Sequence, residues 1–243
     1  MSIFGFSTEA PTGDFTPIVK YDARAGRIFR VDRTDTGNGF EASPIDITNI
    51  FKAVCDFENL ETGWIDFSTG GAPSFVLVPR GQMLPPRPST THKNGVRFMI
   101  KLGKDCGGDK PVREIAGTSR AFLNGTQAVV EQWLREAPQH HGQLPVIVLD
   151  KTTPVKTGSG DKSSTNYHPT WKIIGWAPRP ADLTRKPVQQ QPQQTTMHTG
   201  APLNGGSVNT GTAPATGNQR PAQPQQQAPQ QPAQPTVAPD DFG

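Results

Sequence analysis

The alternation of apolar and polar positions starts within residues 20–32, KYDARAGRIFRVD. Arg27, Phe29 and Val31 fall on one face and Ile28 and Arg30 on the other, which predicts a strand. The period then changes. Ile47, Ile50, Phe51, Val54 and Phe57 follow at three- and four-residue spacing behind Ser43-Pro44, with Asp46 near the start. Ser as a cap, Pro in the first turn and an early acid are helix-start signals, so residues 44–58 read as a helix closed by Gly63. Three short runs bounded by Gly, Pro or Asn come next: GWIDFS, PSFVLVPRG and NGVRFMIKLG. They predict strands. The last puts Val96, Phe98, Ile100 and Leu102 on one face and Arg97, Met99 and Lys101 on the other. Residues 126–136 predict a second helix, with Thr126 as cap and Val129, Val130, Trp133 and Leu134 as its apolar face. LPVIVLDKTTPV and HPTWKIIGWAP predict two final strands, joined by the Gly/Ser/Lys loop KTGSGDKSSTN.

The order is strand, helix, three strands, helix, two strands. Short strands with a helix just before the last pair match the layout of an OB-fold, a small five-stranded Greek-key barrel with its helix between strands three and four. On this reading the 44–58 helix and the long loops are insertions, and the fold class is mainly β. A different β-rich sandwich is the structural alternative.

The chain divides by composition. Residues 187–243 hold 13 Gln and 10 Pro, one base (Arg220), two acids and a single aromatic, Phe242. So little apolar surface cannot offset the entropy of ordering, so this stretch reads as a disordered tail and residues 1–186 as one folded domain. No run reaches the ~20 apolar residues of a membrane span. The N-terminus lacks the basic n-region of a signal peptide, so a cytoplasmic protein is expected.

Charge is uneven. Residues 1–66 carry a balance of −5 and residues 67–186 one of +9. Between Phe67 and Lys104 there are six bases and no acid. That asymmetry points to a polyanionic partner. Cys55 and Cys106 form no CxxC pair, and the adjacent His140 and His141 have no partner Cys spacing, so no zinc site and no cofactor are expected. GSGDKSST lacks the glycine spacing of a phosphate loop, and Asp14, Asp32, Asp66 and Asp150 are scattered rather than clustered as a two-metal site requires. The expectation is a non-catalytic protein.

Single strands are held by bases that track phosphates and by rings that stack on bases. This chain interleaves the two. The candidate contacts are Arg27, Arg30, Trp64, Arg80, Arg87, Lys93, Arg97, Lys101, Lys151, Lys156, Tyr167, Lys172 and Trp176. Arg97 and Lys101 sit opposite an apolar strand face, which predicts a solvent-facing pair. Trp176 shares parity with Lys172 and Trp171 does not, so Trp176 is expected to be exposed, and Trp64 by a similar argument. Phe98 and Trp133 are expected in the core.

The tail ends PTVAPDDFG, with Asp240 and Asp241 beside Phe242. A β-rich, moderately basic body followed by a Gln/Pro/Gly tail ending in acids and Phe resembles single-stranded-DNA-binding proteins, most closely divergent phage-encoded versions. The resemblance implies an OB-fold body that coats single strands in replication, recombination or repair, in the bacterial host cytoplasm if phage-encoded. It also implies that Asp240, Asp241 and Phe242 dock on replication and recombination proteins. In the bacterial members the tip ends on Phe itself, whereas here Gly243 follows. A structural or adaptor protein, such as a virion component with a Pro/Gln spacer, is the alternative.

Overall fold

The computed structural model describes residues 16–184, apart from 38, 39 and 71. The region 187–243 and its tip therefore lie outside the described residues.

Among the described residues ten strands form one sheet: β1 (Ile18–Asp22), β2 (Arg27–Asp35), β3 (Phe40–Asp46), β4 (Lys52–Cys55), β5 (Glu61–Asp66), β6 (Ser74–Pro79), β7 (Lys93–Leu102), β8 (Val112–Gly117), β9 (Gln143–Thr157) and β10 (Ser164–Pro178). The strand order is β10-β9-β4-β7-β8-β1-β2-β3, with β5 pairing both the N-terminal half of β7 and β6. All these pairs are antiparallel except β1 with β8. Helix α1 (Lys104–Gly107) is one turn, and α2 (Arg120–Glu136) is the long helix. The chain is thus mainly β, as the sequence implies. The sheet has ten strands and is open, in place of the expected five in a closed barrel.

The helix read at 44–58 does not form. Those residues make the end of β3, a turn and β4. Ile47, Phe51, Val54 and Phe57 are buried, but Ile50 is exposed. The three- and four-residue spacing comes from one turn set between two strands, not from a helical period. Asp46 sets that turn by accepting hydrogen bonds from the Thr48 backbone N–H and hydroxyl. Thr48 Oγ1 in turn accepts from the Ile28 N–H. Pro44 is tolerated because β3 is an edge strand, where a missing N–H breaks no ladder.

The single strand read at 20–32 is a hairpin. Asp22 Oδ1 accepts from the N–H groups of Arg24 and Ala25, and Gly26 takes φ 67° in the turn. A Cβ there would lie 2.9 Å from Tyr167, so β10 packs directly on the turn. Strand β8, VREIAG, was not anticipated: Arg113 and Glu114 interrupt its apolar run, yet both are buried. The long helix starts at Ser119, whose hydroxyl accepts from Phe122 N–H, seven residues before the expected cap. Gly125 lies inside it because a Cβ there would come 2.5 Å from the Pro169 carbonyl oxygen.

The main core lies between α2 and one face of the sheet. Tyr21, Phe51, Phe122 and Trp171 pack ring to ring, as do Phe57, Phe98 and Trp133. On the opposite face Val54, Met99, Leu144, Val146 and Ala177 form a smaller cluster closed by Leu183. The segment 178–184 is tied down by Arg179, which donates two hydrogen bonds to Asp56 and one to Glu58.

Candidate nucleic-acid interface

The predicted basic face of β7 is not open to solvent. Arg97 donates two hydrogen bonds to Glu61 Oε2, at 2.8 and 2.6 Å, and lies 3.8 Å from Glu114. Its side chain is 11% exposed. Lys101 is 7% exposed and donates to Asp182 at 3.1 Å. The parity argument placed both bases correctly opposite Phe98. It could not foresee that β8, β5 and the segment 178–184 bring Glu114, Glu61 and Asp182 onto that face. A buried base needs such partners, because desolvating a lone charge is costly.

Trp176 is also buried, at 1% exposure, and stacks on His140 with ring centroids 4.1 Å apart. Alternation fails there for a local reason. The β9–β10 register slips between Ile173 and Gly175, so Ile174 is an extra residue. A bulge resets the parity of everything after it. Trp176 therefore joins Trp171 and Ile173 in the core. Phe98 and Trp133 are buried, as expected. Trp64 is half-buried: its Nε1 donates to the Pro85 carbonyl at 2.8 Å, and the Arg87 guanidinium lies 5.6 Å from its ring.

The remaining basic candidates separate into two groups. Arg27 is exposed but pairs with Asp46, while Arg30 is half-buried and bonds Asp32 and the Cys106 carbonyl. Arg80 lies over the Trp133 ring at 5.2 Å. Arg87 donates to the carbonyls of His92 and Thr90, which shapes the loop that carries it. These bases have structural work to do.

The second group is different. Lys93, Lys151, Lys156 and Lys172 are exposed. Lys172 pairs across Val148 with Lys52, so the two lysines occupy one row of three strands. Neighbouring strands are ~4.8 Å apart, which sets the two backbones about 10 Å apart. Lys151 pairs with Thr170, on the same face as Lys172. Lys52, Lys151 and Lys172 therefore share the outer face of the β4–β9–β10 end of the sheet. Lys156 shares the other face of the arm with Tyr167, whose backbone is fixed by the Tyr21 hydroxyl and the Ala23 carbonyl. The sequence reading missed Lys52 because it lay in the misread helix.

A second surface lies on the outer face of β5, β6 and β7. Phe67 is 50% exposed and meets the half-buried Phe75 edge-on at 6.2 Å. Arg97 holds Phe75 from below, 5.0 Å from its ring. The exposed Lys93 pairs with Ile65 beside them. No alternation argument singles out Phe67, since its parity with Ile65 reads as core.

No protein-family model, curated protein or solved structure matches this chain. What the surface can do rests on its own chemistry. Among the described residues no group of three or more His, Cys, Asp or Glu side chains is placed to hold a metal. No described helix is long and apolar enough to cross a membrane.

Electrostatics around these surfaces fix loops. Hydrogen bonds from Ser68 and Thr91 hold Asp66 at a pKa of about 2. The Thr48 hydroxyl and backbone, with Arg27, do the same for Asp46. Burial pushes the Tyr21 phenol up to about 12, helped by Asp22.

Proposed function

We propose that the chain binds single-stranded DNA without catalysing a reaction, in replication, recombination or repair. The observation that carries this reading is the pair Lys172 and Lys151, both exposed on the outer face of the β9–β10 end of the sheet. Such a pair offers ammonium groups to a phosphate backbone and makes no demand on base identity.

The OB-type reading of the fold has support in the strand pairing. Strands β4, β7, β8, β9 and β10 pair in the order β8-β7-β4-β9-β10, and α2 lies between the third and fourth of them in the chain. A closed barrel of that order would pair β8 with β10. Here β8 pairs with β1 instead, and the β1–β2 turn meets β10 where Tyr167 N–H donates to the Ala23 carbonyl. The N-terminal hairpin thus occupies the seam. OB-folds bind oligonucleotides on strands two and three and on the loops joining strands one to two and four to five. On this reading those loops correspond to residues 56–92, with Phe67 and Phe75 and with Lys93 just after them at the start of β7, and to the β9–β10 arm, with Lys151 and Lys156.

The test is a titration with poly(dT), poly(U) and duplex DNA at several salt concentrations. Each phosphate contact contributes about −0.7 to the slope of log K against log salt for a single strand. Lys151→Ala with Lys172→Ala flattens the slope by roughly 1–1.4 on this reading. A parent chain with no affinity for poly(dT), or a double variant with the parent's slope, would falsify it. Asp240, Asp241 and Phe242 are proposed to recruit replication and recombination proteins. Changing all three to Ala should release any polymerase, recombinase or helicase that co-purifies with the full chain.

A further inference from the structure

We propose that β6 is a dimerisation strand that pairs antiparallel with β6 of a second copy of this chain. Among the described residues three ends of the sheet are unpaired in the strand order: β3, β10 and β6. An unpaired edge is a template for another strand, and proteins blunt edges that are not used. The β10 edge is engaged, since Tyr167 bonds the β1–β2 hairpin through both its N–H and its carbonyl, and α2 packs against Pro169. The β3 edge carries Glu41, Pro44 and Asp46. The β6 edge reads SFVLVP, with no charge.

The backbone accounting fixes what can bind there. Arg80 N–H donates to the Leu60 carbonyl at 2.9 Å, which makes residues 60 and 80 a hydrogen-bonded pair. Antiparallel ladders alternate, so residues 78, 76 and 74 direct their N–H and C=O groups at β5. The Val76 carbonyl fits this, since a Cβ on Gly63 of β5 would lie 2.2 Å from it. Phe75 and Leu77 therefore point their backbone groups outward, and among the described residues these groups have no partner. Pro73 and Pro79 stand at either end, where neither offers an N–H.

One symmetric register satisfies all of this. A two-fold axis through Val76 pairs Phe75 with Leu77 of the second copy, and Leu77 with its Phe75. Four hydrogen bonds form between the four outward N–H groups and the four outward carbonyls. The next pair in either direction is Pro73 against Pro79, where the ladder stops for want of donors. The pairing is therefore self-limiting. Charge argues for the same occupant. Phe75 and Leu77 lie on one face of β6 and Val76 and Val78 on the other, so the partner strand must be uncharged and apolar on both faces, as β6 is. The two outer faces become one continuous surface, which sets the Phe67–Phe75 pairs of both copies side by side.

The experiment combines sedimentation equilibrium of the full chain with two single cysteine variants. Val76 is opposite its own symmetry mate in a non-hydrogen-bonded pair, where Cα atoms are ~4.5 Å apart, within the disulfide range. Val78 shares the face of Val76, but its mate lies four residues along the strand, roughly 14 Å away. The native Cys55 and Cys106 are buried and stay out of the reaction. The expected result is a parent that sediments as a dimer at micromolar concentration. Val76→Cys should cross-link to a covalent dimer under mild oxidation at least tenfold faster than Val78→Cys. A monomeric parent would overturn the proposal. So would a dimeric parent in which the two variants cross-link at equal rates, because the contact would then lie elsewhere.

Discussion

At the scale of single residues, burial overrode the chemistry that side-chain type suggests. Trp176 is a ring that stacks inside the protein, so Trp176→Ala should cost about 3–5 kcal/mol in a urea unfolding curve. Single-strand affinity measured under native conditions should stay at the parent's value. A loss of affinity without a loss of stability would place the ring at the surface after all. Asp66 makes a pH-dependent contribution. Its folded pKa of about 2 lies below the ordinary value near 3.9, so its stabilising effect is complete above about pH 4 and is lost as pH falls through 2. Asp66→Asn should therefore flatten the acid side of the stability profile between about pH 4 and pH 2. It should also loosen the 83–92 loop, since Thr91 donates to this carboxylate at 2.6 Å. Equal acid sensitivity in parent and variant would show that other carboxylates control that limb.

At the scale of elements, close approach decides what the helix and strands tolerate. Helix α2 meets β10 at Gly125, which has 2.5 Å between a built Cβ and the Pro169 carbonyl oxygen. Gly125→Ala gains up to ~1 kcal/mol of helix propensity. It also pushes a methyl group against backbone that cannot rotate away, at about 1–3 kcal/mol. The clash outweighs the propensity, so thermal unfolding should show a lower Tm than the parent. A higher Tm would mean that α2 shifts freely on β10. The periods of β7, β9 and α2 were legible from sequence because each has one long face against the main core. The elements between residues 44 and 58 were not, because two short strands and a turn produced a helical spacing by coincidence.

At the scale of the whole described body, the segment 178–184 closes the outer face. Arg179 reaches Asp56, which is 0% exposed, with bonds of 2.9 and 2.8 Å. Arg179→Met leaves that carboxylate buried without its guanidinium, with Asn59 still donating to it. Removing one member of a buried pair costs 3–5 kcal/mol, and the one-third exposure of this guanidinium puts the cost near the lower end, about 3 kcal/mol. Amide exchange should rise along 178–184, and unchanged protection there would show that Leu183 and the Lys101–Asp182 pair hold the segment without Arg179. The sequence by itself determined the mainly β class, the polar face opposite Phe98, and the core positions of Phe98 and Trp133. Each follows from local alternation or composition, which neighbours in the chain are enough to define. Only the tertiary structure decided that Arg97 and Lys101 are neutralised, that Trp176 is internal and that Lys52 joins Lys172. Those outcomes depend on partners distant in the chain, 36 residues away for Arg97 with Glu61 and 81 for Lys101 with Asp182, or on a bulge that a single strand's sequence does not announce. Ion pairing and parity are fixed by which strands meet, and strand meeting is a property of the folded sheet.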